Sequence, residues 1–293
     1  NLAVSALQGI FLCAKIVRMA LLDRECRAVI KHEGNGISPE VKIQEKESRR
    51  RKNMALFQAF RAVRPAPEKA AQVAALPYDV VSREEARKIG ENNPESFLHV
   101  DRAEMDLDPS TDLYDPKVYQ KAKENLDRFQ EVGILIQDEK PNYYLYELIR
   151  KGKSQTGIVG VSSIDDYING VIKKHELTRE DKEQDRIHHV DVCDANTGPI
   201  FLACRYPSEL LSLMENWKME HAPVYDFTSE DEITHRVWIV DEETKIRKIR
   251  ELFEEIPSVY IADGHHRAAS AVKVGLKRRA EHPAYTGKEE FNF

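Results

Sequence analysis

Two short stretches of the sequence combine residue types that handle phosphate groups. The more compact one is YIADGHHRAAS, residues 260–270, in which an acid, a glycine, two histidines and an arginine follow a short apolar run. The apolar run predicts a strand over residues 259–262, and the small residues after the motif predict a helix that begins near His266. The first backbone N–H groups of a helix lack intrahelical partners and lie at the positive end of its dipole, so such a junction can bind an anion.

Each side chain of this junction suits that chemistry. Gly264 allows a tight turn and the close approach of a ligand. Arg267 presents a planar fork that matches phosphate oxygens, and His265 and His266 are donors that can carry charge near neutral pH. Asp263 can orient a histidine or hold a magnesium ion. We interpret the segment as a phosphate-binding site; the alternative is a His-Arg pair that only caps a helix and binds solvent.

The second stretch is IKKHELTREDKEQDR, residues 172–186. His175 and Glu176 are adjacent, so they project in different directions from a loop, and Glu176 could accept a proton from a hydroxyl group. Thr178 predicts the cap of a helix with acidic residues in its first turn. Four residues of this stretch have helical spacing: Thr178, Lys182, Asp185 and Arg186. They could contact the substrate, but the spacing alone favours a solvated helix face with ion pairs.

A further segment, LPYDVVS, places Tyr78 and Asp79 where they could line a pocket, although capping of a helix by Ser82 is the simpler role for the segment.

The segment IHHVD offers metal-ligand types in His188, His189 and Asp191, which together with His175 would make a metal hydrolase. If this segment is a strand, however, its two adjacent histidines point to opposite faces, which argues against shared coordination. The remaining histidines that we considered are interpreted as surface or core residues: His99, His221 and His235.

The elements that must position these residues alternate between strands and helices, which indicates a mixed α/β (α+β) fold. Helices are predicted after Ser82 and over residues 117–130, 208–217, with Ser208 as cap, and 242–255. Strands are predicted over residues 97–100, 143–149, 156–164, 197–206, 234–240 and 259–262. The last residues, EEFNF, alternate as the start of a further strand does.

Composition excludes several classes of protein. The chain has 293 residues, of which 41% are hydrophobic and 32% charged, a composition typical of a soluble globular protein. No apolar run approaches the roughly 20 residues of a membrane span. The four cysteines, Cys13, Cys26, Cys193 and Cys204, form no CxxC pair, so we expect reduced thiols in a cytoplasmic protein.

The charge balance divides the chain near Met54. Residues 1–53 carry a net charge of +5, and the remaining residues carry −11. The three arginines before Met54 can be encoded by a purine-rich ribosome-binding sequence. We therefore expect residues 1–53 to be a translated upstream leader or a disordered arm, followed by an N-terminal α/β part over residues 54–168 and a catalytic core over residues 169–293.

Three ordered blocks resemble a bacterial and archaeal family, domain-of-unknown-function family 1015. They are ALPYDVVSREEARKIGENNPESFLHV, GIVGVSSIDDYINGVIKKHELTREDKEQDR and YIADGHHRAAS. The resemblance runs from about Met54 to Phe293. It implies a C-terminal continuation of on the order of another hundred residues, so the chain is expected to be truncated.

The pair KHE and ADGHHR also resembles the SerK-type free-serine kinases, which share the ParB and sulfiredoxin nucleotide-binding fold. That resemblance implies that Glu176 activates the hydroxyl of serine and that Asp263 to Arg267 hold nucleotide phosphates and Mg²⁺. Lys174 stands where those kinases have a proline, and the spacing between the two blocks is longer here. The substrate loop near the C-terminus of those kinases has no counterpart in this sequence.

The function expected from residues and resemblance together is phosphoryl transfer between L-serine and a nucleotide, ADP or ATP, or water, with Mg²⁺ as cofactor. The partners are then small molecules, without nucleic acid or membrane, and the sequence leaves the oligomeric state open. Two other functions stay as alternatives: a ParB-like, nucleotide-dependent nucleic-acid-binding protein and a metal-dependent hydrolase. The net charge of −11 after residue 53 argues against the first of them.

Overall fold

The computed structural model describes residues 54–176 and 178–293, together with residues 16–21 as backbone. Its strands are β1 Ile16–Leu21, β2 Phe57–Gln58, β3 Val63–Pro65, β4 Leu135–Gln137, β5 Tyr143–Arg150, β6 Lys153–Ser162, β7 Ile172–Lys173, β8 Ile200–Cys204, β9 Tyr225–Thr228, β10 Thr234–Val240 and β11 Val259–Asp263. Its α-helices are α1 Ala70–Val73, α2 Arg83–Asn92, α3 Leu98–Asp101, α4 Pro116–Glu131, α5 Ile164–Ile168, α6 Glu180–Cys193, α7 Ser208–Glu220, α8 Glu243–Phe253 and α9 His265–Glu281. Three 3₁₀ turns cover Pro67–Lys69, Ala103–Asp106 and Glu290–Asn292. The mixed α/β fold is confirmed.

Among the described residues, nine strands form one mixed sheet. Its order is β7-β11-β8-β1-β6-β5-β10-β9, and β2 pairs with the end of β6. The run from β1 through β6, β5 and β10 to β9 is antiparallel, whereas β1 pairs with β8 and β11 pairs with β7 in parallel. β3 and β4 form a separate two-stranded sheet. The sheet therefore carries β7, β11 and β8 at one end, and these strands lead to both stretches singled out in the sequence.

Both faces of the main sheet are buried under apolar clusters. Successive side chains of one strand point to opposite faces and so belong to different clusters. Leu145 of β5 packs with side chains of α7 and α8, whereas its neighbours Tyr144 and Tyr146 pack in a second cluster on the other face. A third apolar cluster holds together α2, α3 and α4, and Cys193 of α6 belongs to it. The N-terminal helices thus pack directly on the element that carries the second chemical stretch.

Local sequence signals explain the clearest helix boundaries. Ser82 and Glu85 form a reciprocal capping box, in which the Ser82 hydroxyl accepts from the Glu85 backbone N–H at 3.2 Å. Pro116 begins α4 behind the cap Asp115, whose carboxylate accepts from the backbone N–H of Lys117 at 2.9 Å. Both helices begin where the sequence predicted.

Two predicted strands are wrong. Residues 98–100 belong to α3 and Phe97 is its N-cap, and the backbone N–H of Asp101 bonds to the carbonyl of Phe97 at 3.1 Å. The run is buried on all sides, so its sequence lacks the one-sided pattern that distinguishes a helix from a buried strand. The final residues form the 3₁₀ turn Glu290–Asn292 rather than a strand, and the turn packs beside α9.

Three assignments in the second half also need correction. The IHHVD segment lies inside α6 and is not a strand. Arg179, not Thr178, is the N-cap of α6, because the Thr178 hydroxyl donates instead to the carboxylate of Glu183 at 2.5 Å. Pro207 precedes α7, so Ser208 is its first helical residue.

No helix in the described part of the chain combines the length and apolar character that a bilayer crossing requires. The division at residues 53 and 168 stays a prediction.

Candidate functional site

Helices α6 and α9 lie side by side and run in the same direction. The backbone N–H of Arg179, just before α6, donates to Nε2 of His266 at 3.0 Å. One turn further on, the Ser270 hydroxyl donates to the carbonyl of Glu183 at 3.1 Å, and near the far end Lys277 pairs with Asp191 at 2.6 Å. Because these partners keep almost the same separation in sequence, the two helices are parallel and begin at the same place.

Two parallel helices bring together two positive dipole ends, which attract an anion. The first turn of α6 carries its own acids, among them Glu180 and Asp181, whereas the first turn of α9 carries none. The N-terminus of α9 is therefore the less neutralised of the two ends.

The turn that begins α9 has the geometry that the sequence predicted. Strand β11 ends at Asp263, and helix α9 begins at His265, one residue before the predicted start. Gly264 between them has a φ of 88°, in the left-handed region that glycine adopts without strain. A Cβ atom at Gly264 would lie 3.1 Å from Nε of Arg267, so the close approach also favours glycine.

Arg267 is directed into the protein. Its Nη2 donates to Oδ2 of Asp263 at 2.6 Å, and its Nη1 donates to the backbone carbonyl of Pro199. The guanidinium thus joins the segment before β8 to the turn after β11. It positions the turn, and it also lines a small recess of about 20 Å³.

Glu176 lies beside the turn, although 87 residues separate it from Asp263. Its Oε2 is 3.4 Å from Nδ1 of His265, and the ring of His175 meets that of His265 edge-on at 4.4 Å between centroids. The side chain of His265 is buried, and burial, with the nearby His175, lowers its pKa. His265 is consequently neutral at pH 7, and no lysine or arginine of the described residues pairs with the half-exposed Glu176 carboxylate.

His266 points the other way, into a cavity of about 240 Å³. Because its Nε2 accepts the Arg179 N–H, the proton of the neutral ring is on Nδ1. The cavity lies between α6, α9 and the N-terminal helices. Seven residues singled out in the sequence line it: Tyr78, Asp79, Lys182, Asp185, Arg186, His189 and His266.

Arg186 is the fixed cation of this cavity. It is buried, with its guanidinium carbon 4.2 Å from the centroid of the Tyr78 ring and its Nε 3.0 Å from Oδ2 of Asp185. Burial lowers the pKa of Arg186, but the Asp185 carboxylate and Tyr78 raise it by more. The net pKa is therefore raised, and the group stays charged. Lys182 is exposed at the wall of the cavity. Arg186 is therefore not on a solvated helix face, whereas Lys182 is exposed, and the substrate contacts of both residues stay a prediction.

Some predicted site residues do not reach the cavity. Thr178 is held by Glu183, whose other carboxylate oxygen pairs with Lys273. Glu176, His175 and Asp263 lie at the turn and are not part of the cavity lining. The structure thus forms two adjoining groups, the turn and the cavity, and the consecutive residues His265 and His266 connect them.

The metal ligands proposed for a hydrolase do not converge. His188 packs against the Tyr119 ring at 5.5 Å, His189 is directed inward, and Asp191 pairs with Lys277 and Arg278. In the ranges that the structure describes, no three His, Cys, Asp or Glu side chains are grouped so that they could hold a metal ion.

Sequence patterns assign no role to Asp101, and they assign His189 to a metal site rather than to this cavity. Both residues line the cavity, and each is buried with one polar atom that has no hydrogen-bond partner in the described part of the chain. Asp101 ends an apolar tetrapeptide, LHVD, which matches no motif. Only the tertiary packing of α3 against α6 reveals it.

The chain belongs to the family described as a protein of unknown function (DUF1015), whose model matches residues 57–293. No curated protein and no solved structure matches the chain.

Proposed function

We propose that the protein transfers a phosphoryl group between the hydroxyl of L-serine and a nucleotide or water. The proposal includes the relationship to the SerK-type kinases and to the ParB and sulfiredoxin fold that the KHE and DGHHR segments suggest. The observation that carries it is the position of Glu176, which places a half-exposed carboxylate beside the N-terminus of α9.

Phosphoryl transfer needs positioning and stabilisation of charge more than covalent chemistry from the protein. The parallel N-termini of α6 and α9 supply dipoles and backbone donors for phosphate oxygens. Lys182, Arg186 and the Nδ1–H of His266 add three donors from the adjoining cavity. The phosphoryl group is then bound between the turn and the cavity.

Glu176 is the base in this proposal. The serine hydroxyl must lose its proton as its oxygen bonds to phosphorus, and a carboxylate within hydrogen-bond reach can take that proton. His265, neutral and buried behind it, directs an N–H toward Glu176 and keeps the carboxylate in place without neutralising it. In the reverse direction the protonated Glu176 returns the proton to the departing serine oxygen.

Asp263 fits a magnesium ion that also binds phosphate. Mg²⁺ is commonly held by one or two carboxylates, substrate phosphates and water. Arg267 binds only Oδ2 of Asp263, and the carboxylate is half-exposed, which leaves Oδ1 for coordination. When bound, the ion neutralises charge that develops on the phosphoryl oxygens.

The direct test is to incubate the full chain with O-phospho-L-serine and Mg²⁺, with and without AMP or ADP, and to follow serine, phosphate and phosphorylated nucleotide. Serine should appear with a matching amount of phosphate or phosphorylated nucleotide. If neither product forms in the presence of any acceptor, and serine with ATP or ADP yields no phosphoserine, the proposal is wrong.

Two matched lysine variants test whether the cavity binds the phosphate of the substrate. Lys182→Met should raise the KM for phosphoserine about tenfold or more, because it removes a charged donor to the phosphate. Lys140→Met is the matched control, since Lys140 is exposed on the loop between β4 and β5. Equal KM values for the two variants would remove the cavity from the proposal.

A further inference from the structure

The inner wall of the cavity carries a carboxylate that is only half satisfied. Oδ1 of Asp101 accepts the Thr197 hydroxyl at 2.5 Å, which fixes the orientation of the group. Oδ2 is buried and has no hydrogen-bond partner in the part of the chain that the structure describes. Asp101 as a whole is 4% exposed. A buried acceptor without a partner is costly and calls for a donor.

A second unpartnered acceptor lies on the same wall. Nε2 of His189 bonds to the carbonyl of Val100 at 3.0 Å, so it carries the ring proton and leaves Nδ1 as a bare acceptor. Nδ1 is buried and has no partner among the described residues. Burial and the charge of Arg186 lower the pKa of His189 to about 3, so the ring stays neutral. Val100 precedes Asp101 in the chain, and both Asp101 and His189 line the cavity.

The two arginines that line the cavity already form ion pairs, whereas Lys182 is exposed and has no ion pair among the described residues. Arg186 pairs with Asp185 at 3.0 Å, and Arg102 with Glu104 at 2.6 Å. The cavity therefore has donors for an anion on the side of α6 and α9, and on its inner wall it has two acceptors that lack a donor. That distribution matches a small molecule with an anionic end and a cationic end.

We infer that Asp101 and His189 bind the ammonium group of a small phosphorylated amine whose phosphate lies toward Lys182 and His266. The inference rests on the proposed function and deepens it, because it says how an amino acid is distinguished from a hydroxy acid. An ammonium group has three donors, which suffice for Asp101 Oδ2 and His189 Nδ1 together. A cavity of about 240 Å³ restricts the ligand to the size of a small metabolite.

The experiment measures binding by titration calorimetry with two matched ligand pairs. O-Phospho-L-serine is compared with 3-(phosphonooxy)propanoate, and O-phosphoethanolamine with ethyl phosphate, so that each pair differs in the amine. The wild-type chain should bind the amine of each pair about 10- to 100-fold more tightly, the range for a charge-assisted hydrogen bond. Asp101→Asn keeps an acceptor for Thr197 and should reduce that ratio to near one.

The matched control is Asp166→Asn, which makes the same substitution at another buried carboxyl outside this cavity. Its ligand ratios should equal those of the wild type. If Asp101→Asn does not fold, Thr197→Val takes its place, because loss of the hydroxyl frees the carboxylate to turn and should lower the ratio.

Failure of the inference is distinct from failure of the proposed function. An amine preference that disappears in Asp101→Asn supports the inference even if phosphoserine is not turned over, and in that case only the proposed function fails. Turnover of phosphoserine with the same ligand ratio in both proteins overturns the inference and leaves the function standing. If the wild type binds neither amine better than its partner, the inference is overturned.

Discussion

Replacement of Glu176 by glutamine should reduce turnover far more than stability. Glutamine keeps the shape of the side chain and one acceptor oxygen but cannot take a proton. General-base catalysis contributes about 10²- to 10⁴-fold, so kcat for phosphoserine formation should fall by that factor. Expressed as an activation free energy, the loss is about 3–5 kcal/mol.

The structure predicts that Glu176→Gln has a much smaller effect on the stability of the folded protein. The Glu176 side chain is 58% exposed, and its one polar contact among the described residues is with a neutral histidine at 3.4 Å. Exposed pairs of this kind contribute about 0–1 kcal/mol, which corresponds to a Tm change of no more than about 4 °C for a domain of this size. Nucleotide affinity should stay within about threefold, because the carboxylate acts on the hydroxyl rather than on the phosphates.

The assay follows ADP or AMP release at saturating serine, and calorimetry reports Tm on the same samples. Glu180→Gln is the matched control, since it neutralises an exposed carboxylate four residues further along, in the first turn of α6. A loss of less than tenfold in kcat for Glu176→Gln, or an equal loss in both variants, would refute the role of Glu176 as base.

Three further predictions concern the frame of the site. Arg267→Ala should lower the free energy of unfolding in urea by about 1.5–3 kcal/mol, because it removes the bonds to Asp263 and to the Pro199 carbonyl; an unchanged midpoint would contradict the positioning role. Gly264→Ala should cost about 1–2 kcal/mol for its φ of 88° and more for the contact with Arg267, whereas Gly133→Ala, with φ 74° and open space around it, should show only the backbone cost. Burial raises the pKa of Asp166 to about 7 from an ordinary 3.8, so the folded state binds the extra proton between those values and wild-type stability falls as pH rises through them. The stability of Asp166→Asn relative to wild type should therefore increase by on the order of 4 kcal/mol from pH 4 to pH 8, and a difference independent of pH would show that Asp166 titrates normally.

Local chemistry made the junction before α9 predictable. Gly264 and the change from an apolar run to small residues determine where β11 ends and where the helix begins, and the structure places that change within one residue of the prediction. Ser82 was equally clear, because a capping box involves only residues three apart. The mixed α/β class followed from the alternation of such local signals.

Non-local packing accounts for what the sequence did not show. The sequence predicts a strand over residues 97–100 because burial on all sides hides helical periodicity. The burial of Arg186 depends on Tyr78, which comes from a segment more than 100 residues earlier in the chain. Asp101 and His189 are neighbours only because α3 packs against α6, and no spacing within either segment indicates it. Sheet order was likewise unpredictable, since β8 lies between strands from opposite ends of the sequence.

Because α6 and α9 are parallel, their positive N-terminal dipole ends lie side by side. An anion bound between these two N-termini would stabilise the helix pair. Two like dipole ends repel each other, and the ion pairs of Lys277 and Arg278 with Asp191 fasten the opposite ends of the helices together. A bound anion screens that repulsion, so occupancy of the site and stability of the helix pair are thermodynamically linked. The stability of the two helix N-termini should therefore increase with ligand concentration. Multivalent phosphates should protect the amides of both first turns from hydrogen exchange, and chloride at equal ionic strength should protect them less.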